Sequence, residues 1–482
     1  MNTTQKIAKN TSLLLISQVL SFLLAFFYTL NYANYLGAAG FGILSAALAL
    51  AGILTIFTDL GLTTLTVREV ARDKSIASKY IGNITIIKLI FSIVTLLATF
   101  IIVQLFVHDQ QSSTVIYIIT TALILGVLSG TFSAAFQAYQ RMEYQSIATV
   151  LNSILMFAGI YIAIYYNSNI LAFAMVFLII NFLILLFNIA ICLWKFVVPR
   201  FELDLKLWKS LILESYPLAV SSIFAVIAFR IDTIMLSFLA GDVSTGLYSA
   251  AYKLLEALMF IPSVYATAIL PVFSKFHIDS RESLQFSYYK SFKYLSMLGI
   301  PIAVGTTLLA NEIILLLFPS GYIQAILILQ ILIWAIPIIF VSYVIGASII
   351  SINRQHETMR ISFICMLLNV VLNLIFIPKY GYIGAAVVTV ITELSLFLFY
   401  YHLISKYLCK IKLRKVLLKP IIASFFMALS IILIKTIMIK ANLLVIMVIA
   451  TITYFAVLIL LKSFTKSDKE IFKGIMGKYV DK

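Results

Sequence analysis

The chain has 482 residues, of which 62% are hydrophobic and only 11% charged, and it carries a net charge of +16. Soluble domains hold roughly 45–50% apolar and about 25% charged residues, so this composition excludes a water-soluble enzyme or binding module, whose single core could not hide the excess. The apolar surface must face lipid, and the chain reads as an all-α polytopic membrane protein.

Apolar runs separated by charged, Gly, Pro or Asn breaks predict fourteen spans, the first eight at about 11–33, 41–62, 81–106, 114–137, 147–166, 170–194, 212–238 and 246–273. The rest follow at about 291–309, 323–349, 361–377, 382–403, 417–438 and 442–461. The first run is too long for the apolar core of a cleaved signal, and no small-residue cleavage site follows it. With the N-terminus in the cytoplasm, 29 of the 35 Lys and Arg residues fall on cytoplasmic loops and ends. Three (Lys379, Lys435, Lys440) fall on outer loops and three (Lys88, Arg230, Lys253) inside spans. One miscounted span would invert every later loop, so the positive-inside rule favours this register, with both termini cytoplasmic in a plasma (inner) membrane. Charges strung along loops in this way attract anionic headgroups of membrane lipids and argue against a nucleic-acid partner. Cys192, Cys365 and Cys409 stand singly and the four histidines lack ligand spacing, so neither a metal site nor a cofactor is expected.

The sequence repeats a corner. "YLGAAGFGILSAA" at 35–47 and "LAGDVSTGLYSAA" at 239–251 align Gly37 with Gly241, Gly42 with Gly246 and Ser45 with Ser249, at a constant offset of 204. A second pair, "QRMEYQSIATVLNSIL" at 140–155 and "NRQHETMRISFICMLLNVVL" at 353–372, joins the fourth and fifth spans of each half. The expected organisation is two parallel six-helix repeats around a central cavity, 1–209 and 210–405, followed by two further spans and a basic tail in 406–482. Parallel repeats of this kind place a substrate path between halves that rock against one another, as in a transporter.

"NYLGAAGFGILSAA", "DLGLTTLTVREVAR", "FRIDTIMLSFLAGDVSTGLYSAAYKLLEAL" and "IPKYGYIGAAVVTVITE" resemble the polysaccharide transporter family. These are Wzx-type flippases of the MOP (multidrug/oligosaccharidyl-lipid/polysaccharide) superfamily, and the likeness covers residues 5–405. It implies a MATE-like fold. It also implies a flippase that turns a polyprenyl-pyrophosphate-linked oligosaccharide from the inner to the outer leaflet, alongside polysaccharide assembly proteins.

Ionisable residues at membrane depth are costly and mark functional positions or interhelical pairs. Here they are Lys88, Glu214, Arg230, Asp232, Lys253, Glu256 and Glu393, while Asp59 closes span 2 where water can serve as its partner. Counted from the glycine corner, Arg230, Asp232, Lys253 and Glu256 share one layer of two antiparallel spans. Lys253 and Glu256 lie on one helical face, whereas Arg230 and Asp232 do not, so span 7 can offer only one charge to span 8. Interhelical glue is the plain reading of all four. The functional reading pairs Asp232 with Lys253 and leaves Arg230, with Lys88, for the pyrophosphate of the substrate the resemblance implies, Arg being suited to phosphate geometry. Gln18, Tyr28 and Asn31 on span 1 are candidates for the sugar, as are Tyr32, Asn34, Tyr35, Gln137, Tyr139 and Asn152, although tyrosines also gather at membrane interfaces for other reasons.

An ATP-driven pump needs a phosphate-cradling G-x-x-x-x-G-K-[ST] loop, and none occurs, so an H+ or Na+ gradient or the substrate's own gradient must supply energy. A polymerase or glycosyltransferase would need long outer loops bearing acids, and the outer loops offer only Asp109, Asp242 and Glu312. The nearest rivals are an ion-coupled multidrug exporter, disfavoured by three basic residues inside spans, and a lipid II flippase.

Overall fold

The protein is described by a computed structural model over residues 3–437, 442–465 and 468. The basic tail beyond Asp468, Lys440 and the side chains of Lys6 and Lys9 lie outside the described residues. The described chain is helical: α1 Thr3–Asp59, α2 Leu62–Arg72, α3 Ala77–Phe106, α4 Gln110–Ala138, α5 Met142–Tyr165, α6 Ile170–Lys195 and α7 Leu205–Asp279. Then come α8 Arg281–Leu317, α9 Ala325–Leu332, α10 Ala335–Ser351, α11 Gln355–Tyr407, α12 Leu413–Ile437 and α13 Leu443–Leu460.

Eleven helical stretches among the described residues are long and apolar enough to cross a membrane, which makes this a multi-pass membrane protein. Three of them run for 60, 54 and 53 residues, or about 80–90 Å at 1.5 Å per residue, far beyond one hydrocarbon thickness. Each of those three contains a glycine outside helical geometry: Gly37 at φ 69°, Gly241 at φ 81° and Gly381 at φ 54°. Left-handed backbone favours glycine, and a helix broken there can turn back. The repeat is written in the backbone as well. Gly37 and Gly241 adopt nearly the same angles (ψ 179° and 174°). Gln140 and Asn353, which open the second repeated segment, share φ values of 57° and 59°.

The helices are amphipathic in the sense lipid demands. On α3, Ile84, Lys88, Ser92, Thr95 and Thr99 are buried at spacings of three and four, while Ile93, Val94, Leu97 and Ile101 on the other side are exposed. The buried hydroxyls bond backward along their own helix, Ser92 to the Lys88 carbonyl at 2.6 Å and Thr99 to that of Thr95 at 2.8 Å. Side-chain caps set several helix starts: Asp109 accepts from the Ser112 amide at 2.7 Å, and Asn442 from that of Leu444 at 2.9 Å.

The chain forms two compact units, Met1–Ala250 with Phe318–Tyr322 and Met366–Ala385, and Ala251–Leu317 with Ile323–Cys365 and Ala386–Lys482. In the first, Leu62, Leu65, Ile84, Ile87 and Leu211 form one core cluster, and Leu128, Phe132, Phe136 and Leu185 belong to another. In the second, Phe292, Leu295, Ile336 and Phe340 centre the core. There the two helices after the repeats, α12 and α13, lie against α8. Tyr454 donates to the Met297 carbonyl at 2.7 Å, and Lys435 pairs with Glu312 at 2.6 Å.

One acid past α13 ties the chain back to α8. Asp468 is buried and accepts from Lys290, Lys293 (2.7 Å) and Tyr294 (2.6 Å), and from the Thr465 amide (2.7 Å). Burial works to raise its pKa, but these donors overcome it and hold the carboxyl far below the usual carboxylate range. Because the folded pKa is depressed, the stabilisation is complete above the unfolded value of about 3.9 and is lost as pH falls below it. The strap should therefore resist proteolysis near residue 465 throughout pH 5–8. Asp468→Asn, which leaves two buried ammonium groups with a neutral partner, should cost about 3–5 kcal/mol and expose the segment at neutral pH, as limited proteolysis would read directly.

Candidate functional site

Lys88 sits halfway along α3 with its side chain fully buried. Its ammonium pairs with Asp59 at 2.6 Å and donates to the Thr63 hydroxyl at 2.7 Å and the Val127 carbonyl at 3.4 Å. Asp59 ends α1, and the chain then turns through Leu60 (φ 43°) and Gly61 (φ 78°) into α2, which brings Thr63 back onto the same carboxylate. Two expectations change here. The partner of Asp59 is a lysine rather than water. That lysine is enclosed and neutralised, so in this conformation it is not presented to a pyrophosphate. The physical reason is desolvation: a lone ammonium at this depth is expensive, and a carboxylate 29 residues earlier on an adjoining helix relieves it.

The four charges near the second glycine corner also arrange themselves differently from the expected Asp232–Lys253 pair. Lys253 bonds Glu256 at 2.8 Å, three residues on along its own helix, and both remain partly exposed at 28% and 21%. Such a pair needs no partner helix. Asp232 is buried and accepts from Tyr248 at 3.0 Å and from the Asn373 amide at 2.7 Å. Asn373 also donates to the Asn369 side-chain carbonyl at 3.0 Å, and its own Oδ1 is buried with no hydrogen-bond partner. Asn369 and Asn373 escaped the sequence reading, which followed charges. Their signal was an N-x-x-x-N spacing inside the apolar run 366–377, which puts two amides on one helical face. The Asn373 nitrogen thus bridges the carboxylate and the Asn369 oxygen, and with that amide turned over, a carboxylate and two amide oxygens would face one another, the donor set that a small hard cation takes.

Arg230 is partly buried, with its guanidinium 5.2 Å from the centre of the Phe229 ring. Glu214 pairs with Arg68. Among the span 1 candidates, Gln18 is exposed, and Tyr28 stacks on Tyr32 with ring centres 6.4 Å apart. Asn31 donates to the Phe27 carbonyl of its own helix at 2.9 Å. Tyr35 donates to the Ser168 carbonyl at 3.1 Å, and Tyr139 packs its edge against Phe196 at 5.4 Å, so these two serve packing.

Comparison with known proteins supplies the family. Residues 7–277, more than half of the chain, match the family model described as polysaccharide biosynthesis protein, and residues 217–375 match the MatE model. A capsular polysaccharide biosynthesis protein, CapF of Staphylococcus aureus, is 24% identical over 82% of this chain and 98% of its own length. A probable lipid II flippase, MurJ of Vibrio cholerae, is 30% identical over 36% of this chain and 35% of its own. Among solved structures, a lipid II flippase MurJ in an inward closed conformation superposes with a TM-score of 0.78 at 16% identity, over 93% of this chain and 98% of that one, a likeness of fold. With its helical repeats, its broken helices and a match covering more than half its length, the chain belongs to the polysaccharide biosynthesis protein family.

Proposed function

We propose that the protein is a flippase with fourteen crossings and both ends in the cytoplasm, which moves a polyprenyl-pyrophosphate-linked oligosaccharide from the inner to the outer leaflet by alternating access. The observation that carries this reading is Arg230, a permanently charged group held partly exposed within an apolar helix of a family named for polysaccharide biosynthesis. A guanidinium has five N–H donors in a planar fork whose geometry matches phosphate oxygens. Lys253 and Glu256, bonded to one another in the second unit, are proposed as a separate polar contact. Gln18, Asn31 and Tyr28 on α1 offer the hydrogen bonds and ring faces a sugar requires. Lipid II is itself a lipid-linked sugar, and the fold shared with a lipid II flippase favours it as a second cargo.

Asp232, Asn369 and Asn373 are proposed to hold the coupling cation, Na+ or H+, the orphaned Asn373 oxygen being the observation behind it. If the ion is Na+, the melting temperature in detergent should rise when Na+ replaces N-methylglucamine. Asp232→Asn and Asn373→Ala should each abolish that rise. A pH-dependent shift lost in Asp232→Asn, with no response to Na+, would assign the site to a proton, and a response that survives both variants would place the ion elsewhere.

Depleting the protein should leave finished lipid-linked oligosaccharide stranded on the cytoplasmic leaflet. If the sugar is never assembled on its lipid, the protein acts earlier and the reading fails. Arg230→Lys should fold normally and flip poorly. Arg230→Ala should lose about ten- to a hundredfold in rate, the worth of a charged hydrogen bond of roughly 1.5–3 kcal/mol.

A further inference from the structure

The repeated glycine corner meets itself. A methyl group added at Gly42 would overlap the backbone carbonyl of Asp242 and stand 2.9 Å from the Gly246 nitrogen. One added at Gly246 would overlap the carbonyl of Ala38 and stand 3.1 Å from its Cα. Asp242 is the repeat equivalent of Ala38, and Gly246 that of Gly42, by the same offset of 204. Each corner therefore seats its glycine on the other's carbonyl, in the reciprocal manner of a twofold interface. The whole contact lies within the first compact unit.

We propose that these two corners form a reciprocal backbone clasp that closes the outer end of the transport path and separates when that end opens. The proposal rests on the transport reading and on the orientation given by the basic loops. Only glycine lets two backbones approach this closely. The attraction across such a contact is dispersion and weak Cα–H···O bonding, which fades within about an ångström of separation, so the clasp is either made or lost. Gly37 and Gly241, both left-handed, set the turn that presents each seat. Beside the clasp lies a cavity of about 140 Å³, lined among others by Ile43, Phe106, Ser237 and Asp242.

The test needs no cargo, so its outcome is independent of whether the flippase reading holds. In a protein with Cys192, Cys365 and Cys409 replaced, Ser237→Cys reports opening through labelling by a membrane-impermeant maleimide added outside. Gly42→Ala and Gly246→Ala should each raise the labelling rate tenfold or more, because the added methyl keeps the clasp from closing. Gly52→Ala, whose methyl would meet nothing within 4 Å, should leave the rate unchanged. Unchanged labelling in folded Gly42→Ala and Gly246→Ala proteins would overturn the clasp. Should those variants fail to fold, spin labels on Ala39→Cys and Val243→Cys, with both glycines intact, decide instead. A short and a long distance, exchanging in weight with conditions, support the proposal, and one unchanging distance overturns it.

Discussion

Hydrocarbon cannot solvate a polar group, and the arrangement of every helix in this protein follows from that. Backbone amides are satisfied within the helices themselves, so the remaining problem is the side chains. The chain solves it by turning the usual amphipathic pattern around. The row Lys88, Ser92, Thr95 and Thr99 points inward on α3, where it finds carbonyls, hydroxyls and one carboxylate, and the leucine, isoleucine and phenylalanine face is left to lipid. The same constraint explains the glycine corners. A chain that must turn at the membrane surface and still pack helix against helix needs backbone freedom at one residue and absence of a side chain a few residues on, and Gly37/Gly42 and Gly241/Gly246 supply one of each.

Those corners were legible in the sequence because their signal is local. Two glycines at fixed spacing, repeated 204 residues later, need no knowledge of the fold, and the structure gives both copies the same backbone angles. The breaks at Gly37 and Gly241 fall where that reading ended one span and began the next. What the sequence did not disclose is which partner each buried charge takes. Asp59 and Lys88 are 29 residues apart on different helices, and only the turn through Leu60 and Gly61 brings Thr63 and Asp59 together around the ammonium. Lys253 had two acids within conceivable reach by depth alone, and the choice of Glu256 depends on rotamers that spacing cannot rank. Asn369 and Asn373 went unnoticed for a different reason: an amide in an apolar run carries no charge to count, yet once enclosed its unmet oxygen is as telling as a carboxylate.

These partners also sharpen the electrostatic argument about cargo. Three basic residues inside spans first disfavoured a cationic drug as substrate. Two of them are matched internally, Lys88 by Asp59 and Lys253 by Glu256, and a matched pair presents little net field to a ligand. Arg230 is then the proposed phosphate contact, and its guanidinium holds its charge at any physiological pH. Its distinction from a lysine there is geometric as well as electrostatic. A planar fork can receive two phosphate oxygens at once in a fixed geometry, whereas an ammonium meets a phosphate as a point charge. On the proposed reading, the planar fork of Arg230 is the group that meets the phosphate-bearing end of a lipid carrier.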